Sequence, residues 1–351
     1  MTLVVSIHDS GFLTGLQLLP ASAAAPVAPW KPPDYADPDS FYEQEVSLDG
    51  GRLAVPGTLS LPRRPGPWPA IVLMAGSGPM DRDETIGRNK PLKDLAWGLA
   101  SRGVAVLRFD KVTYVHPDEI RQLPGFTALN EYGPDTGAAV DRLREHPSVL
   151  AEWVFLLGHS LGGTMAPRLA TTRPSVAGLV ILAGGAEPLH WAAVRQDRYL
   201  ASLRPEAQLA LAATVETMSE QALLVDSPGL SDSTPSSKLP LGVPAAYWLD
   251  LRGYDPVASA RALDRPILIL QGGRDYQATV ADDLARWEAG LAGHPDVTVH
   301  VYPADNHLCF PGTGPSTPEE YEPVQHMDPD VIADIAHWLP AQVPGSPTTP
   351  A

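Results

Sequence analysis

Residues 153–163, WVFLLGHSLGG, form an apolar run that ends in Gly158-His159-Ser160-Leu161-Gly162 and passes directly into a segment of helical spacing, 161–171. A run this short and β-rich, bounded by glycine, reads as a buried strand. Its end carries G-x-S-x-G between a strand and a helix, the context in which the motif places a serine in a sharp, strained turn. The flanking glycines are needed because neighbouring side chains would clash in such a turn. The turn lifts the Ser160 hydroxyl above the sheet, at a helix N-terminus whose amides favour developing negative charge. Read as a plain glycine-rich turn, the same residues would have no reason to sit between these two elements.

Outward from this point the chain repeats the pattern. AIVLMA (70–75), VAVLRF (104–109), AGLVILA (177–183), PILILQG (266–272) and VTVHVYP (297–303) are further apolar runs too short for helices. Segments of helical spacing separate them at 90–101, 135–146, 279–291 and 329–338. FYEQEVSL (41–48) and GTLSLP (57–62) alternate like an antiparallel pair. The order predicts an α/β fold: a mostly parallel eight-stranded sheet with helices on both faces. About 80 residues separate Ala183 from Pro266, far more than a crossover helix of a dozen or so residues needs. This stretch reads as a helical cap inserted after the sixth strand, about residues 186–262, with a helix near 206–225 and a polar loop at 227–238.

A serine hydroxyl needs a base, and the base needs an orienting acid. Asp275 follows PILILQG in Gly273-Arg274-Asp275-Tyr276, and His307 follows VTVHVYP in Ala304-Asp305-Asn306-His307. Both stand just past a parallel strand's carboxyl end, the edge that Ser160 also reaches. Ser160, His307 and Asp275 are therefore the candidate nucleophile, base and acid. Glu187, after the preceding strand, is the competing acid, and Asp305 reads as turn chemistry.

Two amides are expected to face the oxyanion: that of Leu161 and one from the loop after AIVLMA, Ser77 first and Gly76 second. In the same loop Asp81-Arg82-Asp83-Glu84-Thr85 has the D-x-D-x-T form of aspartyl phosphatases. Their nucleophile stands at the strand end, whereas GSGP intervenes here, so Asp81, Arg82 and Asp83 are read as a brace for the loop. No G-K-[ST] and no G-x-G-x-x-G follow a strand, which argues against a P-loop or a dinucleotide site. Trp191, Tyr247 and Trp248 of the inserted stretch are the candidate substrate-binding wall. Packing of the cap onto the sheet, or a homodimer contact, is their alternative role.

Composition narrows the function further. Lys and Arg number 25 against 41 Asp and Glu, a net charge of −16 with no basic run, which disfavours nucleic acid or an anionic membrane as partner. A lone cysteine, Cys309, excludes an intrachain disulfide and a cysteine-based metal cage. Proline, 38 of 351 residues or about 11% against a usual ~5%, clusters at 20–40, 61–69, 311–328 and 340–350 and so marks loops and ends. Residues 12–28 have the apolar character of a secretory segment but lack a basic start, the first basic residue being Lys31 after Asp9. A cytoplasmic protein is expected. TLVVSI and FLTGLQLL around 8–11 read as a β-hairpin, so residues 1–37 are an extension of hairpin plus Pro-rich linker, 38–340 the main domain, and 341–351 a disordered tail.

With these residues placed, the chain resembles the α/β-hydrolase superfamily, and more narrowly the EstD-type bacterial carboxylesterases grouped with serine aminopeptidase-like and dienelactone-hydrolase-like proteins. The resemblance spans about residues 38–340. It rests on PGTLSLP, GSGPMDRDETIGRNKP, DLAWGLASRGVAVLRFDK, GHSLGG, YWLDLRGYDP, GGRDYQ and NHL followed by GTGPSTPEEY. It implies Ser160, Asp275 and His307 as a triad acting on short- to medium-chain esters, with no metal or organic cofactor. Relatives of this type often carry a further N-terminal domain, of which FLTGLQLLP resembles the last strand. Those with dienelactone activity use a cysteine where Ser160 stands, which points away from that reaction. A serine here forms an acyl-enzyme, so the expected substrate is a small-molecule ester. The alternatives are a pathway-dedicated hydrolase or acyltransferase for a lactone, thioester or peptide, and a binding protein on a hydrolase scaffold.

Overall fold

Short runs with apolar residues on both faces have one way to bury them, which is to line up in a single sheet covered on both sides. In the computed structural model, which describes residues 2–7, 13–19, 30–204 and 208–342, eight of them do so. They are β3 (Phe41–Leu48), β4 (Val55–Pro62), β5 (Trp68–Met74), β6 (Ala105–Phe109), β7 (Val149–His159), β8 (Leu179–Leu182), β9 (Ile267–Gly272) and β10 (Val297–Tyr302). The sheet order is β10-β9-β8-β7-β5-β6-β4-β3. The pairs β3–β4 and β4–β6 are antiparallel and all others parallel. A separate antiparallel pair, β1 (Thr2–Ile7) with β2 (Leu13–Leu19), lies in the N-terminal extension. The Pro-rich segment 20–29 lies outside the described residues, as do 343–351 of the expected tail; residue 341 ends a helix.

Alternation along β5 and β7 shows how the sheet is covered. Val72, Met74, Val154 and Leu156 face one core with α4 (Ala128–Arg144), α5 (Leu161–Thr172) and α10 (Ala285–Leu291). Ile71, Leu73, Phe155 and Leu157 face the other with α1 (Pro91–Ser101) and α11 (Pro329–Ala341). All seven residues of β5 are buried, and each large apolar side chain so placed stabilises the fold by roughly 1.5–3 kcal/mol. Two short helices, α2 (Val112–Val115) and α3 (Pro117–Arg121), follow β6.

After β5 the chain adds β6 on one side and then β7 on the other, so the direction of winding reverses at β5 and β7. Crevices at such a point, beyond the strands' carboxyl ends, are where open α/β sheets hold ligands. The insertion between β8 and β9 contributes α6 (Leu189–Ser202), α7 (Gln208–Asp226), α8 (Ala245–Arg252) and α9 (Pro256–Arg261). Its own small core is Val225, Leu230, Leu239, Ala245 and Trp248. Polar anchors fasten it to the body, four of them from side chains on α5, α6, α8 and the turn after α8. Tyr247 donates to Glu131, Arg168 pairs with Asp250, Tyr254 donates to the Thr164 carbonyl, and Arg195 pairs with Asp283. Among the described residues no helix is long and apolar enough to cross a membrane.

Candidate active site

Ser160 follows β7 immediately and serves as the N-cap of α5, at φ 52° and ψ −121°. A non-glycine residue at positive φ is strained, and this turn tolerates it because its surroundings fix it from both sides. The Ser160 amide donates to the Leu182 carbonyl of β8 at 2.9 Å. Glycine is needed on either side of it. A Cβ on Gly158 would sit 2.1 Å from the Gly162 carbonyl oxygen, and one on Gly162 would sit 2.6 Å from that of Met74. The elbow is thus wedged against the end of β5.

His307 joins the elbow to the acid. Its Nε2 lies 3.0 Å from Ser160 Oγ and its Nδ1 2.7 Å from Asp275 Oδ2. Asp275 is buried and receives four donors. The amides of Gln277 and Ala278 bond Oδ1 at 2.7 and 3.0 Å, while His307 Nδ1–H and Gln271 Nε2 bond Oδ2 at 2.7 and 3.1 Å. With Nδ1 held as a donor to this carboxylate, Nε2 is left as an acceptor for the serine hydroxyl. Glu187 instead accepts from Arg195 Nε at 2.8 Å. Asp305, in the turn before His307, is buried, and burial, reinforced by the Asp328 carboxylate, pushes it up to about 7.

The oxyanion donors expected from sequence fall at the meeting of the two strand ends. Leu161 is the first residue of α5, where an amide has no partner inside the helix. Gly76 lies against the elbow, where an added Cβ would be 3.1 Å from Ser160 Cβ. Its amide, however, donates to Glu84 Oε1 at 2.7 Å, so of the two candidates in this loop only Ser77 remains. Asp81, Arg82 and Asp83 tie the adjoining segment down. Arg82 forks onto Asp110, Asp83 pairs with Arg108 and Lys90, and Asp81 bonds Thr85. The residue that actually reaches Gly76 is Glu84, which sequence reasoning does not single out. Only its positive φ of 54° distinguishes it, and backbone strain leaves no mark in a run of charges.

Ser160 and His307 open on a cavity of about 510 Å³ beneath the insertion. The three aromatics expected to wall it do not. Trp248 is 0% exposed and lies edge-on to His190 inside the cap's own core. Tyr247 gives its hydroxyl to Glu131 at 2.6 Å, and Trp191 gives its indole N–H to Asp226 at 2.8 Å. The apolar wall comes instead from Leu161, Leu189, Ala192, Leu251, Tyr254 and Val257. Helical spacing explains the exchange: Leu189, Ala192 and Gln196 share one face of α6, which Trp191 misses, and α8 meets the cavity only with its last turn. At its polar parts stand Glu187, Asp226, Arg252, Asp255 and Arg286. A serine in line with a histidine and a buried carboxylate, opening on a half-apolar cleft, has the equipment for acyl transfer.

Comparison with known proteins bears on the family and the fold. A family model described as serine aminopeptidase, S33 (Hydrolase_4), matches residues 87–311. The chain is 40% identical to "Esterase EstD" of Thermotoga maritima over 307 residues, covering 88% of this chain and 69% of that protein. Among solved structures, Est1E from Butyrivibrio proteoclasticus superposes with a TM-score of 0.54 at 17% identity, over 85% of this chain and 98% of that one. DcsB, solved with a substrate analogue, gives 0.53 at 16% identity over 87% and 100%. At such identities the structures speak for the shared fold alone.

Proposed function

Because the chain belongs to the serine aminopeptidase (S33) family of α/β-hydrolases, we propose that it is a serine esterase that cleaves small carboxylic esters through an acyl-enzyme. The observation that carries this is the unbroken line Ser160 Oγ–His307 Nε2, His307 Nδ1–Asp275 Oδ2 at 3.0 and 2.7 Å, opening on the cavity.

In this reading Ser160 Oγ bonds the ester carbonyl carbon as His307 Nε2 takes the hydroxyl proton. Asp275 holds the ring in the tautomer that accepts it and stabilises the imidazolium that forms. The carbonyl oxygen, now carrying the charge, turns to the amides of Leu161 and Ser77, helped by the N-terminal end of α5. The bond to the alcohol oxygen then breaks, and His307 returns the proton to that oxygen as the alcohol leaves. Water repeats the sequence: His307 takes its proton, the hydroxyl bonds the acyl carbon, and Ser160 regains its hydrogen as the acid departs. The acyl or alcohol chain lies against Leu189, Leu251 and Val257.

The test is a panel of p-nitrophenyl esters of rising chain length, run beside lactones and aminoacyl amides, on the parent protein and on Ser160→Ala. A fall in kcat of about 10³-fold or more in the variant, with loss of fluorophosphonate labelling, supports the reading. Full activity in Ser160→Ala refutes it.

A further inference from the structure

Behind the three residues just assigned lies a second, wholly buried ionic pair that touches three of the loops forming the site. His159 precedes the nucleophile, and its side chain is 3% exposed; that of Glu84 is 2% exposed. His159 Nδ1 stands 2.9 Å from Glu84 Oε1, and its Nε2 stands 2.9 Å from the backbone carbonyl oxygen of His307. With Glu84 ionised, both ring nitrogens face oxygens that can only accept. A neutral imidazole has one N–H and would leave one of these contacts as two lone pairs in opposition. Only the doubly protonated ring satisfies both. Burial by itself favours the neutral ring, but the Glu84 carboxylate, the His307 carbonyl and the Asp275 charge outweigh it and hold His159 above the usual histidine range. Burial likewise works against the Glu84 carboxylate, and the charge and N–H of His159 with the Gly76 amide outweigh it and hold Glu84 below its usual range.

We propose that Glu84 and His159 form a fixed, charge-neutral brace that positions the oxyanion loop, the nucleophile elbow and the base loop relative to one another. This rests on the assignment of Ser160 and His307 made above. Three facts argue for it. Glu84 Oε1 accepts from the Gly76 amide at 2.7 Å, so one carboxylate oxygen holds both the oxyanion loop and His159. His159 in turn holds the main chain of the base itself, with the two imidazole rings 4.8 Å apart. Glu84 does this from a left-handed backbone conformation at φ 54°, a strain of the kind that persists where the surroundings over-determine a residue. The Gly76 carbonyl is held from the opposite side, by Lys111 Nζ at 2.9 Å and the Tyr132 hydroxyl at 2.7 Å.

Charge makes the brace testable. The ionisable groups facing it are His307 and Asp275 from the base and acid loops, Lys111 after β6 and Tyr132 of α4, with Glu131 behind them paired to Lys111. His159→Gln leaves a carboxylate uncompensated near the base, which moves the acidic limb of the kcat/KM profile to higher pH. Glu84→Gln removes the anion instead and moves that limb to lower pH or leaves it. Charges at this range produce displacements on the order of one pH unit. The double variant carries neither charge and returns the limb to the parent position. All three lower kcat by on the order of 10²-fold through misplacement of the reacting groups. KM stays near the parent value, because neither side chain lines the cavity.

The experiment is the kcat/KM and kcat pH profile of the two single variants and the double variant, with melting temperatures and Ser160→Ala in the same series. The limb displaced upward by His159→Gln and restored in the double variant supports the brace. A limb unmoved by His159→Gln, or displaced the same way by both single variants, overturns it, as does a parental kcat in the double variant. If a single variant does not fold, the double variant, which buries no unpaired charge, decides through the split of kcat from KM: a lowered kcat at parental KM and parental melting temperature supports the brace, and a parental kcat overturns it. Activity surviving in Ser160→Ala would instead refute the proposed function, so the two failures are told apart.

Discussion

Replacing Asp275 by Asn changes one oxygen for an NH₂ and tests the acid's role with almost no change of shape. The structure fixes how the amide must sit. Oδ1 receives two backbone amides, from Gln277 and Ala278, which cannot turn away, so the new oxygen must stay there. The NH₂ then takes the place of Oδ2, facing His307 Nδ1 at 2.7 Å and Gln271 Nε2 at 3.1 Å. Facing the other way would oppose two donors on the main chain, each left unsatisfied at roughly 1–3 kcal/mol. An amide donating to Nδ1 makes that nitrogen an acceptor and moves the ring proton to Nε2, where it points at Ser160 Oγ. A base protonated at its working atom cannot take the serine proton. The expected loss in kcat is about 10⁴-fold, or about 5.4 kcal/mol at 1.36 kcal/mol per decade. Steady-state hydrolysis of p-nitrophenyl butyrate, with fluorophosphonate labelling rates and melting curves, measures it. A loss below tenfold, or a larger one in Glu187→Gln, would show that the acid lies elsewhere.

Burial sets two further outcomes. Trp248→Ala should cost about 3–5 kcal/mol of stability while leaving the preferred ester chain length unchanged, since the indole packs the cap rather than the cavity. Val257→Phe or Leu189→Phe should shorten that preference; melting curves and the ester panel separate the two classes. Asp305 gives a pH signature. Its folded value of about 7 exceeds the ~3.9 of an unfolded Asp, so between those values the native state holds a proton that the unfolded chain has released, and stability falls as pH rises through that window. Asp305→Asn should therefore raise the melting temperature at pH 8 relative to the parent, with the gain shrinking toward pH 4; a gain independent of pH would remove the titration from the explanation.

The sheet and the meeting of Ser160, His307 and Asp275 are legible in sequence because each signal is local. Five residues show the elbow, since glycines 158 and 162 are demanded by carbonyls under 3 Å from their missing side chains. Position after a β run places Asp275 and His307 at one edge. The cavity wall is not legible in this way. A count of aromatics cannot say which turn of α6 or α8 faces inward, and Trp248 satisfies the cap's own need for a core. The brace is hidden for another reason. Glu84 sits in a run of charges whose other members also find partners, Asp83 on the buried Arg108 among them, and only its backbone angle and its depth set it apart. A turn of π-helix at Val280–Leu284 is equally silent, although it carries the fully buried Asp283 that fixes Arg195 and the amides of Ala186 and Glu187.

The anchors that hold the insertion bear on how a substrate arrives. Tyr247 ends on Glu131, which pairs with Lys111, which holds the Gly76 carbonyl. The roof over the nucleophile and the loop beside it are thus one hydrogen-bonded structure. Swinging that roof aside as a unit would break the Tyr247, Asp250, Tyr254 and Arg195 contacts together and pull on the catalytic floor. A cleft tied together in this way favours entry past its rim over a swing of the roof. Its apolar underside, formed by Leu189, Ala192, Leu251, Tyr254 and Val257, already faces the cavity, so lifting the roof would wet that surface at the same moment as it broke those contacts.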